Sequence, residues 1–143
     1  MAKRTAQTIS VFSRCYGDIF PYNMVLVYKK DGDFRDMVDE AKKGFPDLKR
    51  LDSEPFGDGV SAFVFSDDTS PSGNIYLFFT DSLTIDVLVH ECVHVTSRVF
   101  DKLDSELNPS TEEIFAYTME FMFRDIYYMI TDKMKVDLSK ISR

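Results

Sequence analysis

The chain of 143 residues has a net charge of −7, with 44% hydrophobic and 29% charged residues. This length and composition predict a single globular domain over residues 1–143, and the negative charge argues against nucleic acid as a partner, because phosphates call for clusters of Lys and Arg. No apolar run approaches the roughly 18–20 residues of a membrane span, so we expect no membrane insertion.

The first two thirds of the chain alternate between strand and helix patterns. A β-branched and aliphatic run predicts a strand at 23–29, and apolar residues at helical spacing predict an amphipathic helix at 33–45. Loop chemistry at 51–59 is followed by two predicted strands, 60–67 and 74–80. The Pro and Gly residues between these two strands predict an antiparallel hairpin.

Two helical segments follow, from 83 to about 103 and from about 109 to 134. Both are apolar over more than one stripe, which is typical of helices buried on most sides. The order strand, helix, hairpin, helix, helix predicts an α+β fold with a short antiparallel sheet packed on the first of these helices.

Both histidines of the chain lie in the segment Val-His-Glu-Cys-Val-His-Val at 89–95. Residues four apart on a helix project from the same side, so His90 and His94 can present two imidazole nitrogens to one metal ion. Glu91 is rotated by about 100° from His90 and can act as a general base without occupying a coordination position. The alternative is three polar residues on an ordinary helix, but burying them without a partner would be costly. The spacing predicts the metal site of an H-E-x-x-H motif.

A hydrolytic zinc site needs a third protein ligand and an open position for water. The chain has no third histidine and Cys15 is far upstream, so we expect a carboxylate from the following helix, which offers Glu112, Glu113 and Glu120. Two histidines and one carboxylate with an open position suit Zn²⁺, whereas Ca²⁺ and Mg²⁺ take oxygen-rich sites.

Here the sequence resembles the gluzincin metallopeptidases. In the aminopeptidase N class, the third-ligand glutamate follows H-E-x-x-H after eighteen residues, within Asn-Glu-Gly-Phe-Ala. Here eighteen residues, 95–112, separate His94 from Glu113, and the corresponding segment at 112–116 is Glu-Glu-Ile-Phe-Ala. The resemblance implies that Glu113 completes the zinc ligands with His90 and His94, with Glu112 in reserve.

The size and the order of hairpin, helix, helix also resemble short metallopeptidases of tailed phages and prophages, in which E-x-F-A-Y follows H-E-x-x-H, as it does at 113–117. This wider resemblance implies a small zincin-like domain, a zinc cofactor, a peptide or protein substrate and, if a phage encodes the chain, action in the host cytoplasm. The G-A-M-E-N type motif that grips a substrate amino terminus in the aminopeptidases is missing from the sequence, so aminopeptidase specificity is not implied.

Glu113 also has a structural alternative. Ser110-Thr-Glu-Glu113 matches a capping box, in which the glutamate bonds back to the Ser110 backbone N–H. A competing helix start, with Asn108 as N-cap and Pro109 as first helical residue, would leave Glu113 in the second turn and available to a metal.

Peptide hydrolysis also needs a donor for the oxyanion that develops on the scissile carbonyl. Arg98, one turn beyond His94, and Tyr117 are the candidates that we name. The strand at 74–80 ends shortly before the histidine helix, so it is either a sheet edge that pairs with an extended substrate or an internal strand.

A rival function is a metal-binding interaction or inhibitor protein without turnover. The missing substrate-gripping motif favours this rival, and Glu91 opposes it, because a structural metal site needs no base. Two cysteines are too few for a disulfide framework, and the first residues do not follow a signal-peptide pattern, so we expect a cytoplasmic protein in which Cys92 is a buried thiol.

Overall fold

The computed structural model describes residues 9–17, 22–30, 34–51, 61–67 and 73–142. Its strands β1 (Ser10–Cys15), β2 (Asn23–Lys29), β3 (Ala62–Phe65) and β4 (Asn74–Thr80) form one sheet in the order β1-β2-β4-β3. The two central strands, β2 and β4, are parallel to each other. Each is antiparallel to the edge strand beside it, so the sheet is mixed.

The helices are α1 (Phe34–Lys42), α2 (Ile85–Lys102) and α3 (Glu112–Tyr128), with a 3₁₀ helix at Pro46–Arg50 and a π-helical turn at Met129–Lys133. The predicted α+β class and the β3–β4 hairpin are confirmed. The sheet is not purely antiparallel, because α1 lies between β2 and β4 in the chain and the two strands pair in the same direction. No helix in the described ranges is long and apolar enough to cross a bilayer.

Helices cover both faces of the sheet. Side chains alternate along a strand, so one face of the central strands packs against α1 and the 3₁₀ helix, and the other face packs against α2 and α3. The central strands are buried on both faces, as is usual for parallel neighbours, and this explains their uninterrupted apolar sequences. Both strands have the bounds that the sequence predicts.

β1 and the 3₁₀ helix were not predicted. The side chains of β1 are mostly exposed, so its sequence lacks the apolar alternation that marks a half-buried strand. The predicted connection at 68–73 and the predicted loop at 51–59 fall almost entirely outside the described residues.

α2 is held at both ends. The Ile85 N–H donates to the Lys140 carbonyl oxygen at 2.8 Å, so the segment after α3 satisfies a donor that the helix itself leaves unpaired. At the other end, Asp104 has a left-handed backbone (φ 57°) and the Ser105 N–H donates to the Phe100 carbonyl at 2.8 Å, which closes the last turn. These contacts fix the helix that carries the histidines.

α2 is buried along one side only. The sheet and α3 cover that side, whereas Val89 and Val93 are about 40% exposed on the other. The prediction of a helix buried on most sides is therefore wrong for α2, because several of its apolar residues lie on the exposed side.

Candidate metal site

His90 and His94 are neighbours on the exposed side of α2. Their ring centroids are 5.0 Å apart and the ring planes are inclined at 74°. Partial burial lowers the pKa of His94, and the charges of His90 and Arg98 add to that effect. The lowered pKa favours the neutral imidazole, which is the form that binds a metal ion.

Glu91 has the opposite environment to the histidines on either side of it. Its side chain is 7% exposed, whereas both imidazoles are exposed. Burial raises the pKa of the Glu91 carboxyl, and the charge of His90 opposes that rise. A raised pKa makes the carboxylate a stronger proton acceptor, which suits a general base.

Glu113 lies in the first turn of α3, with its side chain exposed. α2 and α3 pack as a helical hairpin in which Phe100 contacts Phe115, with ring centroids 5.1 Å apart. Phe100 is six residues beyond His94, which corresponds to about 9 Å along the axis of α2. The structure therefore places Glu113 beside the end of α2, further along the helix than the histidine pair.

The structure brings together two of the three predicted zinc ligands. Within the described ranges, no group of three His, Cys, Asp or Glu side chains lies close enough to hold a metal ion. The donor types suit zinc, since two imidazoles lie side by side and an exposed carboxylate is present on the adjoining helix. Glu113 as the third ligand stays a prediction.

The start of α3 distinguishes between the two roles considered for Glu113. The Asn108 Oδ1 accepts hydrogen bonds from the Ser110 N–H at 2.9 Å and from the Thr111 N–H at 3.2 Å. The Ser110 N–H is the donor that a capping box would offer to Glu113, and here it bonds to Asn108 instead. Asn108 thus holds the turn before α3, but the helix itself begins at Glu112 with Thr111 at its N-cap. Both predicted starts, with Ser110 or Asn108 as N-cap, are therefore wrong, and the Glu113 carboxylate lies in the first turn outside a capping box.

The remaining candidates lie on both helices. Arg98 is half-buried one turn beyond His94, and Tyr117 is 64% exposed on α3. Glu120 accepts a hydrogen bond from the Arg124 guanidinium at 2.9 Å, an exposed pair one helical turn apart. That contact is typical of an ordinary exposed helix pair. The charge of Arg98, after that of His90, acts on His94.

The sheet edge near the histidine helix is β3 rather than β4. β4 is hydrogen-bonded to β2 on one side and to β3 on the other, so it is an internal strand. Of the strands, β3 has the most extensive contact with α2. The sequence suggested 74–80 as a possible edge strand and did not identify β3 as the edge, because edge position depends on pairings between distant segments.

No protein-family model matches the sequence, and neither a curated protein nor a solved structure matches it. The interpretation of the site therefore depends on the motif and on the geometry of α2 and α3.

Proposed function

We propose that this protein is a zinc-dependent peptidase in which His90, His94 and Glu113 hold the metal and Glu91 is the general base. The observation that carries the proposal is the arrangement on α2, where a buried carboxylate lies within the same turn as two adjacent exposed imidazoles. This arrangement suits a division of roles, because ligands have to be accessible to an ion and to substrate, whereas a base gains from a shielded position.

The donors are of the types that hydrolytic zinc sites use. Zinc, when bound, would supply Lewis-acid polarisation of the scissile carbonyl. His90 and His94 already lie side by side, and Glu113 has to approach them for the third bond to form. The turn held by Asn108 supports this role, because it leaves the Glu113 carboxylate uncommitted.

Glu91 would carry the proton during hydrolysis. It accepts a proton from the water whose oxygen attacks the scissile carbonyl carbon, and it donates that proton to the amine nitrogen when the C–N bond breaks. Burial of its carboxyl supports the first half of this transfer, since a raised pKa makes the carboxylate a stronger proton acceptor. Arg98 and Tyr117 are the proposed donors to the oxyanion.

An extended peptide would lie along β3. This strand is at the edge of the sheet and against α2, so its backbone can add a further strand beside the histidine helix. Strand addition recognises the main chain of a substrate, which is consistent with a peptide or protein substrate rather than a small molecule.

We place this activity in a reducing compartment, the cytoplasm. Cys15 is exposed and Cys92 is buried, and both are free thiols. An exposed free thiol is typical of proteins that work where thiols stay reduced.

The test combines metal analysis of protein purified without chelator with hydrolysis of an unfolded protein substrate. We expect about one zinc per chain in the wild type. Glu91→Gln should keep the zinc and lower the hydrolysis rate by about 10²–10⁴-fold, because it removes the base but no ligand. Glu113→Ala should weaken zinc binding, whereas Glu112→Ala and Glu120→Ala, the matched controls on the same helix, should leave it unchanged.

Each part of the proposal is contradicted by a different result. A wild type free of metal would contradict the ligand assignment and the mechanism together. A fully active Glu91→Gln variant would contradict only the base, and equal effects of Glu112→Ala and Glu113→Ala would contradict the choice of third ligand.

A metal-binding interaction protein without turnover is the second candidate. It is favoured by the apolar side chains of Val89 and Val93, which are partly exposed on the histidine side of α2, because exposed apolar groups suit a protein contact. This candidate predicts zinc in the purified wild type, no hydrolysis of protein substrates, and no difference between the wild type and Glu91→Gln in either measurement.

A further inference from the structure

Asn108 is the centre of a hydrogen-bond network in the segment between α2 and α3. Its Oδ1 accepts from the Ser110 N–H at 2.9 Å, from the Ser110 hydroxyl at 2.7 Å and from the Thr111 N–H at 3.2 Å. Its own backbone N–H donates to the Thr111 Oγ1 at 3.0 Å. The carboxamide thus determines where the donors at the start of α3 are directed.

The Glu113 carboxylate is a second possible acceptor for the Ser110 N–H. Ser110 and Glu113 have the spacing of a capping box, in which the glutamate carboxylate accepts the N–H of the residue three positions earlier. The capping box and a zinc bond would use the same carboxylate of Glu113. When another acceptor binds the Ser110 N–H, the capping box cannot form, and the Glu113 carboxylate stays available to the metal.

We propose that Asn108 is a positioning residue for the zinc ligand Glu113. By holding the Ser110 N–H, Asn108 keeps the Glu113 carboxylate out of the helix cap and available to the metal. The inference rests on the proposed function, since it requires that Glu113 binds zinc. It assigns to Asn108 a role that is distinct from the general stability of the loop.

Thr111 offers a matched control in the same loop. Its hydroxyl donates to the Glu106 carbonyl at 2.6 Å and accepts from the Asn108 N–H. Thr111→Val removes both of these bonds and the longer contacts of the hydroxyl with the Asn108 carbonyl oxygen at 3.3 Å and Oδ1 at 3.4 Å. It leaves the bond from the Ser110 N–H to Asn108 in place. It should therefore loosen the loop without releasing the competing donor.

The experiment measures zinc affinity by competition with a chromophoric chelator, together with the Tm of each metal-free variant. Asn108→Ala should weaken zinc binding about fivefold, which corresponds to about 1 kcal/mol, the usual net worth of a hydrogen bond. Asn108→Ser should keep wild-type affinity, because a serine hydroxyl can accept the N–H of the residue two positions on in the same kind of turn. Thr111→Val should lower the Tm about as much as Asn108→Ala and keep wild-type affinity.

Two results would overturn the inference while the ligand assignment stands. One is an Asn108→Ala variant with wild-type affinity when Glu113→Ala has lost it. The other is a Thr111→Val variant that loses as much affinity as Asn108→Ala, which would mean that loop stability alone matters. If Glu113→Ala itself keeps wild-type affinity, the ligand assignment of the proposed function fails, and the inference fails with it.

Discussion

Neighbouring residues of α2 differ sharply in their contact with solvent. His90 and His94 are exposed, whereas Glu91 and Cys92 are buried between the helix and its neighbours. The spacing of the residues predicts that the two imidazoles share a side, and the apolar context predicts the burial of Cys92; both are confirmed. The burial of Glu91 could not be predicted, because it depends on which side of α2 meets the sheet.

The reactivity of the two thiols should reveal which of them is exposed to solvent. Burial raises the pKa of the Cys92 thiol to about 12, and the charge of Glu91 adds to the rise. At pH 8 the thiol of Cys92 is therefore protonated and shielded, whereas Cys15 is exposed. We expect one thiol per chain to react with a chromogenic disulfide reagent in the native protein and two in denaturant.

Peptide mapping of the alkylated native protein provides the control, since the modified residue should be Cys15. Equal rates of modification at Cys15 and Cys92 would contradict the buried face of α2.

At the scale of elements, α3 packs through a narrow stripe. Its buried residues are Thr118, Met122 and Ile126, spaced four apart, whereas Ile114 and Tyr117 are exposed. The Tyr22 hydroxyl lies 3.1 Å from the sulfur of Met122, which joins α3 to the start of β2. The sequence predicted an α3 that is apolar nearly all round, and it could not show which apolar residues lack a neighbour.

The buried stripe of α3 predicts that two truncations on this helix lower the free energy of unfolding by different amounts. Met122→Ala removes a fully buried side chain and should lower the free energy of unfolding by about 2–5 kcal/mol. Ile114→Ala, the matched control, truncates a side chain that is 60% exposed and should change it by no more than about 0.5 kcal/mol. Urea denaturation followed by circular dichroism measures both, and similar costs would show that α3 packs through a different side.

Local sequence patterns do not predict contacts between elements that are distant in the chain. Asp125 of α3 accepts a hydrogen bond from the Tyr16 hydroxyl, and its Oδ2 lies 3.5 Å from the Arg14 Nε. These contacts attach β1 to α3 across 109 residues of sequence. Burial raises the pKa of Tyr16, and the hydrogen bond to Asp125 adds to the rise, so the hydroxyl stays a donor. No spacing or composition signal connects the two segments, which is also why β1 was missed.

At the scale of the whole molecule, the histidine helix α2 lies against the edge strand β3, and the start of α3 lies beside the end of α2, beyond the histidine pair. The central strands β2 and β4 form the interior, and their bounds follow from apolar runs that the sequence shows plainly. The parallel pairing of β2 with β4 and the edge position of β3 arise only when distant segments assemble. The motif predicts the ligands and the base, whereas the assembled fold determines which strand lies at the sheet edge beside α2.

The central claim is that His90, His94 and Glu113 bind zinc, and X-ray absorption at the zinc K edge of the purified protein tests it most directly. We predict one zinc per chain, with imidazole nitrogens at about 2.0–2.1 Å, oxygen at about 2.0–2.2 Å and no sulfur neighbour. In Glu113→Ala the oxygen contribution should fall while the two imidazoles remain. A zinc spectrum with sulfur at about 2.3 Å, or a protein that carries no zinc, would contradict the account.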